Sequence, residues 1–252
     1  MPDAADAPVL SAVELTRRFG GLTAVNTVSL ELEVGEVHAV IGTNGAGKST
    51  LVNMLSGELP ASAGRIRFAG RDITGWSQPQ RARAGIGRSY QRTTLFPEFS
   101  VFENCRLAAQ AMHARPWAVW EAAAHCNASI RAAHEALEAA GLEEQATRTA
   151  GTLSHGAKRQ LEIAMCLATR PRVLLLDEPL AGMGAEETER MLALLAQLKS
   201  EHAVLLVEHD MDAVFRIADR ITVMVNGEVI ASDSPQRVRA SREVQVAYLG
   251  EH

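Results

Sequence analysis

Hydrophobic and polar positions along the chain follow two rhythms. In the first third, Val9–Phe19 (VLSAVELTRRF) and Val28–Val34 (VSLELEV) read as strands, and Val37–Gly42 (VHAVIG) as a fully buried one. The stretch TNGAGKSTLVNMLSG then passes from glycine-rich loop to helix, with Gly57 as the expected stop. Gly64–Gly70 and Gly85–Tyr90 read as further strands. From about Val101 to Ala168 the chain is rich in alanine and poor in β-branched runs. There Ala122–Leu142 is strongly helical, with Gly141 as its expected end. After Pro171 the first rhythm returns. Arg172–Glu178 (RVLLLDE), Ala203–His209 (AVLLVEH) and Arg220–Gly227 (RITVMVNG) are short apolar strands, separated by helical stretches such as Ala185–Glu201. Continuous apolar strands alternating with amphipathic helices predict a mostly parallel sheet covered on both faces. The expected organisation is an α/β core whose first part is 1–97 and second part 169–252, with a helical subdomain inserted at 98–168. A continuous α/β domain with long helices is the competing reading.

Composition narrows this picture. The 252 residues allow one large domain or two small ones, and 47% hydrophobic with 22% charged residues suffices for a sizeable core. A net charge of -5 argues against a chain that lives on nucleic acid, because phosphate neutralisation needs a basic face. The opening stretch MPDAADAPVL lacks the pattern of a secretory signal, and no window approaches the ~18 consecutive apolar residues of a membrane span. Any membrane role is therefore expected to pass through a partner. Cys105, Cys126 and Cys166 are too widely spaced for a metal cluster and read as reduced thiols. The glycosylation triplet at Asn127-Ala128-Ser129 reads as chance in such a chain.

Candidate chemistry begins at Gly42-Thr43-Asn44-Gly45-Ala46-Gly47-Lys48-Ser49, which fits GxxxxGK[ST] between an apolar strand and a helix that continues through Thr50. Glycines let successive N–H groups turn inward around phosphate oxygens, and the helix N-terminus adds its positive dipole end. Lys48 is expected to reach the β- and γ-phosphates and Ser49 to hold Mg²⁺. VLLLDEP places Asp177 and Glu178 at the carboxyl end of a buried strand, where ligands of open α/β sheets bind. Asp177 suits a Mg²⁺ role, and Glu178 could orient or deprotonate an attacking water. His209, in LLVEHDM, follows another buried strand and can hydrogen-bond a γ-phosphate. Gln91 ends a short strand; its amide could touch metal and nucleotide, or it is a polar loop residue. Phe19 could stack on adenine or belong to the core.

The stretch LSHGAKRQLEIA sets Ser154 beside His155. Leu161, Ala164, Met165 and Ala168 have helical spacing, so a helix starts near Ser154, with Ser154 as N-cap and Gly156 allowing close backbone approach. A free helix N-terminus with a serine hydroxyl is an anion site. A catalytic Ser–His pair would need an orienting group and an oxyanion hole, adjacent side chains at a helix start diverge, and no GxSxG elbow is present.

The P-loop, Gln91, LSHGAKRQ, LLLDEP and VEHD occur in the order and spacing of ABC-type ATPase subunits, and the chain resembles that family over nearly its whole length. The stretches RFGGLTAV, RSYQRTTLFPEFSVFEN, QLEIAMCLATRPRVLLLDEPLAGM and the terminal YLGE most resemble the importer ATPases for branched-chain amino acids and related amides or urea. The resemblance implies one ATPase domain over 1–252: a P-loop, RecA-like α/β core with a mostly parallel sheet, a small antiparallel β part and an inserted helical subdomain. It implies ATP and Mg²⁺ as cofactors and a head-to-tail pair of ATPase subunits, copies or different chains. Ser154 and Gly156 would then meet the partner's γ-phosphate. Asp177 and Gln91 would assist Mg²⁺, Glu178 would be the general base, His209 the switch histidine, and Phe19 the adenine contact. It further implies permease subunits, a solute-binding protein, a place on the cytoplasmic face of the cell membrane, and no nucleic acid. Leu95, Phe96 and Pro97 are candidates for the permease contact or for packing within the helical subdomain. Two departures stand out: His155 and Ala157 occupy positions where the signature usually has glycine and glutamine, and Gly184 stands where the family usually has an aspartate. An exporter ATPase of the lipopolysaccharide type and a soluble ABC ATPase are the alternatives.

Overall fold

The computed structural model describes residues 8–90, 94–113 and 126–249. Gln91 and Gly250–His252 lie outside them. Six strands build the principal sheet: β3 (Val37–Gly42), β6 (Ile86–Arg88), β7 (Val173–Asp177), β8 (Ala203–Val207), β9 (Arg220–Val225) and β10 (Glu228–Asp233), in the order β10-β9-β3-β8-β7-β6. All neighbours are parallel except β9 and β10. Every residue of β3, β7 and β8 is buried, as their mostly apolar runs require, with His38 in β3 and Asp177 at the end of β7 as the polar members. A second, antiparallel sheet has the order β2-β1-β4-β5, from β1 (Leu10–Phe19), β2 (Leu22–Leu32), β4 (Ala63–Phe68) and β5 (Arg71–Asp72). The expected α/β class, mostly parallel sheet and small antiparallel part are all present.

Side-chain alternation along the parallel strands divides the core. Leu174, Leu176, Val204 and Leu206 pack with α3 (Val101–His113), α4 (Asn127–Ala139), α5 (His155–Leu167) and α6 (Ala185–Leu198). Val173, Leu175, Leu205 and Val207 face the other way, against α1 (Lys48–Ser56) and the antiparallel sheet. A third cluster joins Ile221 and Val223 to α7 (Met211–Ile217), α8 (Pro235–Ala240) and α9 (Arg242–Leu249).

Two expected element ends hold: Gly57 and Gly141 follow α1 and α4 with φ of 84° and 67°, the left-handed conformation glycine adopts without strain. The carbonyls left at the end of α1 also receive a guanidinium. Arg81, from α2 (Gln78–Ala84), is 2% exposed and donates to the carbonyls of Met54, Leu55, Thr74 and Trp76. One expectation needs correction. β2 begins at Leu22, well before Val28, because Asn26-Thr27 forms an irregularity within the ladder rather than a turn. Thr27 has φ 54°, and its N–H is taken up by Thr16 Oγ1.

One polar chain runs through the sheet. His38 on β3 is 1% exposed and lies 2.9 Å from the Glu31 carbonyl through Nδ1 and 2.8 Å from Thr222 Oγ1 through Nε2. The carbonyl can only accept, so Nδ1 carries the proton; Thr222 then donates to Nε2, and Ser232 donates to Thr222 across 2.7 Å. Burial lowers the His38 pKa from 6.5 to about 4. The unfolded chain therefore binds a proton that the folded chain refuses across this interval. The resulting stability is complete above pH 6.5 and is lost as pH falls towards 4, amounting to about 3 kcal/mol. We expect His38→Gln to remove this component. Urea unfolding at about pH 7 and about pH 4.5 should show the wild type losing more stability on acidification than the variant. Parallel losses would show that His38 does not titrate as argued.

Candidate nucleotide site

Parallel pairing brings distant segments to one edge. In the register of the sheet Val207 lies opposite both Val40 and Asp177, so β3, β8 and β7 end side by side. The loop after β3 holds Asn44 to Gly47, the residues after β8 are Glu208 and His209, and β7 ends on Asp177 followed by Glu178. Gln91 follows β6, the next strand, but lies outside the described residues.

Close approach enforces the glycines of the loop. A Cβ on Gly42 would stand 2.2 Å from the Met224 carbonyl oxygen, and one on Gly47 (φ 96°) 2.3 Å from that of Ala24. A Cβ on Gly45 (φ 80°) would meet none of the described residues within 4 Å, so there it is the positive φ that favours glycine. A cavity of about 210 Å³ is lined by Ala24, by the whole run Asn44–Thr50 and by Glu178. Lys48 opens α1; its Nζ donates to the carbonyls of Gly42 at 2.7 Å and Thr43 at 3.1 Å. Burial pulls its pKa down, opposed by the carboxylates of Glu178 and Asp177.

Asp177 is 3% exposed, and its Oδ1 is buried without a hydrogen-bond partner among the described residues. Burial raises its pKa; Arg88, a hydrogen bond with Ser49 and Lys48 pull it back, while Glu178 pushes it further up. An orphaned carboxylate oxygen beside a serine hydroxyl is the donor set a hard divalent cation takes. Glu178 has φ 51°, an uncommon conformation for a residue with a Cβ. Its carboxylate Oε1 lies 3.9 Å from Nδ1 of His209, whose ring is mostly exposed.

Ser154 and Gly156 line a different cavity of about 670 Å³, with Arg148, Glu187 and Arg190 among its walls. Ser154 is the N-cap of α5, its Oγ accepting from Ala157 N at 3.2 Å. The same hydroxyl donates to Glu187 Oε1 at 2.9 Å, which also accepts from Gly156 N at 3.2 Å. These bonds, Ser154 first, hold the Glu187 carboxyl below its usual range, with a contribution from the Gly184 N–H that opens α6. Thus one carboxylate is seated on two helix N-termini, a placement the sequence reading did not foresee.

The departures from the usual signature are accommodated simply. His155 is the first residue of α5 and is not among the described residues with positive φ, so no glycine is required there. Its Nε2 donates to the Ala181 carbonyl at 2.9 Å. Ala157 is buried, and Gly184 has φ -76°.

Phe19 ends β1, is 43% exposed and stacks under the Arg17 guanidinium at 4.5 Å, outside the core clusters. Leu95 packs against the core cluster containing α3–α5, whereas Phe96 is 51% exposed and stacked on Phe99 at 5.5 Å. The sequence reading also missed Glu208, which is 1% exposed and hydrogen-bonded to the backbone of Leu180 and His209. Cys105 and Cys166 are buried free thiols, and burial raises both pKa values, that of Cys166 to about 12.

Comparison with known proteins fits this arrangement. Residues 25–181 match the family model described as ABC transporter, and residues 228–252 match that described as branched-chain amino acid ATP-binding cassette transporter. The chain is 43% identical to the high-affinity branched-chain amino acid transport ATP-binding protein BraF of Pseudomonas aeruginosa, over 97% of this chain and 98% of that protein. It is 41% identical to LivG of Escherichia coli, which carries the same description, again over 97% and 98%. Among solved structures it resembles a nucleotide-free ATP-binding cassette of an ABC transporter, with TM-score 0.84, 29% identity and coverage of 97% and 100%. A cassette in its ADP conformation also gives TM-score 0.84 and 29% identity, with coverage of 97% and 99%.

Proposed function

This chain belongs to the ATP-binding subunits of ABC transporters, and from that premise we propose that it hydrolyses ATP to power import of branched-chain amino acids or related small polar solutes. The observation that carries the ATPase reading is the meeting, at one sheet edge, of a glycine-lined cradle, Lys48, and a buried Asp177 oxygen with no hydrogen-bond partner among the described residues. BraF and LivG, named for branched-chain amino acid transport and matched along nearly their whole length, support the solute class over an exporter or a soluble ATPase.

In this reading the N–H groups of Asn44–Thr50 bind the phosphates of ATP, and Lys48 turns from its two carbonyls towards the β- and γ-phosphates. Ser49 and Asp177, with Gln91, are the residues that would hold Mg²⁺, which supplies charge neutralisation to the phosphates. Glu178 takes the proton of the attacking water, His209 hydrogen-bonds the γ-phosphate, and Phe19 stacks on adenine. The N-terminus of α5 meets the γ-phosphate held by a second ATPase subunit, a copy or a different chain, so the Glu187 carboxylate must yield its place to that phosphate. Closure of the pair moves the permease between its access states.

The division into 1–97, 98–168 and 169–252 belongs to this proposal, as does contact of Phe96 with the permease. Among the described residues no helix is long and apolar enough to cross a membrane. In the proposed reading the chain sits at the cytoplasmic face through its permease subunits, in a system that includes a solute-binding protein.

Three outcomes follow. Glu178→Gln should still bind ATP while phosphate release falls at least about a hundredfold, and near-normal turnover would remove Glu178 as the base. In cells lacking this chain, uptake of labelled leucine, isoleucine and valine should be lost, returning with the wild type but not with Glu178→Gln. Loss of amide or urea uptake alone would move the solute class. In the Glu178→Gln background, adding Glu187→Ala should lower the ATP concentration for half-maximal dimerisation about two- to fivefold, read by light scattering. An unchanged concentration would mean that the carboxylate does not compete with the phosphate.

A further inference from the structure

Between β8 and α7 lie Glu208, His209 and the N-cap Asp210, and the first of these has no obvious reason to be acidic. Its side chain is 1% exposed at the end of a strand whose five residues are all buried and apolar. A carboxylate in such a place is expensive to desolvate, and an apolar residue would pack there without that cost. Burial raises its pKa, and hydrogen bonds from Leu180 N, His209 N and the charge of His209 pull it back down. Both of its oxygens are committed. Oε1 accepts from the Leu180 backbone N–H at 2.7 Å, and Oε2 accepts from the His209 N–H at 3.2 Å. His209 Nδ1 lies 3.8 Å from Oε2 and 3.9 Å from Glu178 Oε1, so the imidazole stands between the two carboxylates.

What these bonds hold is a strained turn. Glu178 has φ 51°, a conformation that persists only where its surroundings leave the backbone no alternative. Two anchors supply that restraint, one on each side of the turn and both from the end of β8. Glu178 N donates to the Val207 carbonyl at 2.9 Å, and Leu180 N donates to Glu208. The first anchor is a backbone bond that almost any sequence could make, whereas the second depends on the Glu208 side chain.

We propose that Glu208 is a positioning residue for ATP hydrolysis. Its carboxylate binds the turn that carries Glu178 and the backbone of His209 into one rigid frame and so fixes their mutual placement. It touches neither nucleotide nor metal and acts through Glu178, so the proposal rests on the reading of Glu178 as the base. Leu180 leads directly into the Ala181–Gly184 loop, whose Ala181 carbonyl accepts from His155, so the same frame reaches towards the start of α5.

The test is a double-mutant cycle read by nucleotide binding and single-turnover hydrolysis of labelled ATP. Glu208→Ala should lower the hydrolysis rate by about tenfold or more and leave ATP affinity within about twofold. Glu208→Gln, which keeps an acceptor for Leu180 N but turns an amide N–H₂ towards the His209 N–H, should fall between. Should the alanine variant fail to fold, the glutamine variant carries the comparison alone. In the Glu178→Gln background either substitution should cost little further rate, because the group it positions has gone. A residue that serves folding alone would lower the rate equally in both backgrounds, and that result would overturn the proposal, as would a Glu208→Ala rate within about twofold of wild type. If Glu178→Gln by itself hydrolyses normally, the reading of Glu178 fails first and the proposal falls with it.

Discussion

Parallel pairing of β3, β8 and β7 is the constraint on which the rest of the molecule depends. Parallel neighbours run in one direction, so the glycine loop, Asp177–Glu178 and His209 emerge at one edge although more than a hundred residues separate the first from the second. Parallel strands also need crossovers, and the helices that supply them cover both faces of the sheet. Complete burial of these strands follows, as does their apolar composition. A sheet this dry makes each polar group at its carboxyl edge electrostatically conspicuous. Asp177 with an orphan oxygen, Lys48 bonded to carbonyls and Glu208 committed to two N–H groups all sit at that boundary.

Polar groups buried elsewhere do different work, joining elements that apolar packing would leave free to slide. His38 ties β3 to the Glu31 carbonyl of β2 and to the hydroxyl of Thr222 on β9, linking the two sheets. Arg81 places a cation on carbonyls at the C-terminus of α1, where the helix dipole favours positive charge. It thereby fixes the far end of the helix whose near end carries Lys48. Arg88 reaches the same region of α1 through Asn53 and Ser56, and its charge also bears on Asp177. The P-loop helix is thus held at its C-terminal end by two guanidinium groups that belong to neither the loop nor its ligand.

What could be read from the sequence was what local pattern encodes. The strand–loop–helix around Lys48, the apolar run ending at Asp177 and the N-cap at Ser154 each lie within a dozen residues, and each forms as expected. The start of β2 was misplaced because Asn26-Thr27 has the composition of a turn, and only the bond from Thr27 N to Thr16 reveals an irregularity within a ladder. Glu208 and Glu187 escaped for a related reason. Their partners lie 28 and about 30 residues away, so nothing in their neighbourhoods marks them. An acid in the first turn of a helix suits the dipole wherever it occurs, and that alone would explain Glu187.

The segment from Glu178 to Gly184 lies between the two clusters of candidate residues and is fastened at both ends. At one end Val207 and Glu208 hold Glu178 and Leu180. At the other, His155 holds Ala181, and Glu187 bridges the start of α6 to Ser154 and Gly156. A short backbone anchored at both ends cannot move at one end without loading the other. In the proposed reading, a phosphate that displaces Glu187 from the N-terminus of α5 removes one fastening of the loop whose first residue is the base. In that same reading, with no side chain at Gly184, coupling between the nucleotide sites passes through the fastenings of this segment within one subunit. His155 and Glu208 fasten two adjacent residues of that segment, Ala181 and Leu180.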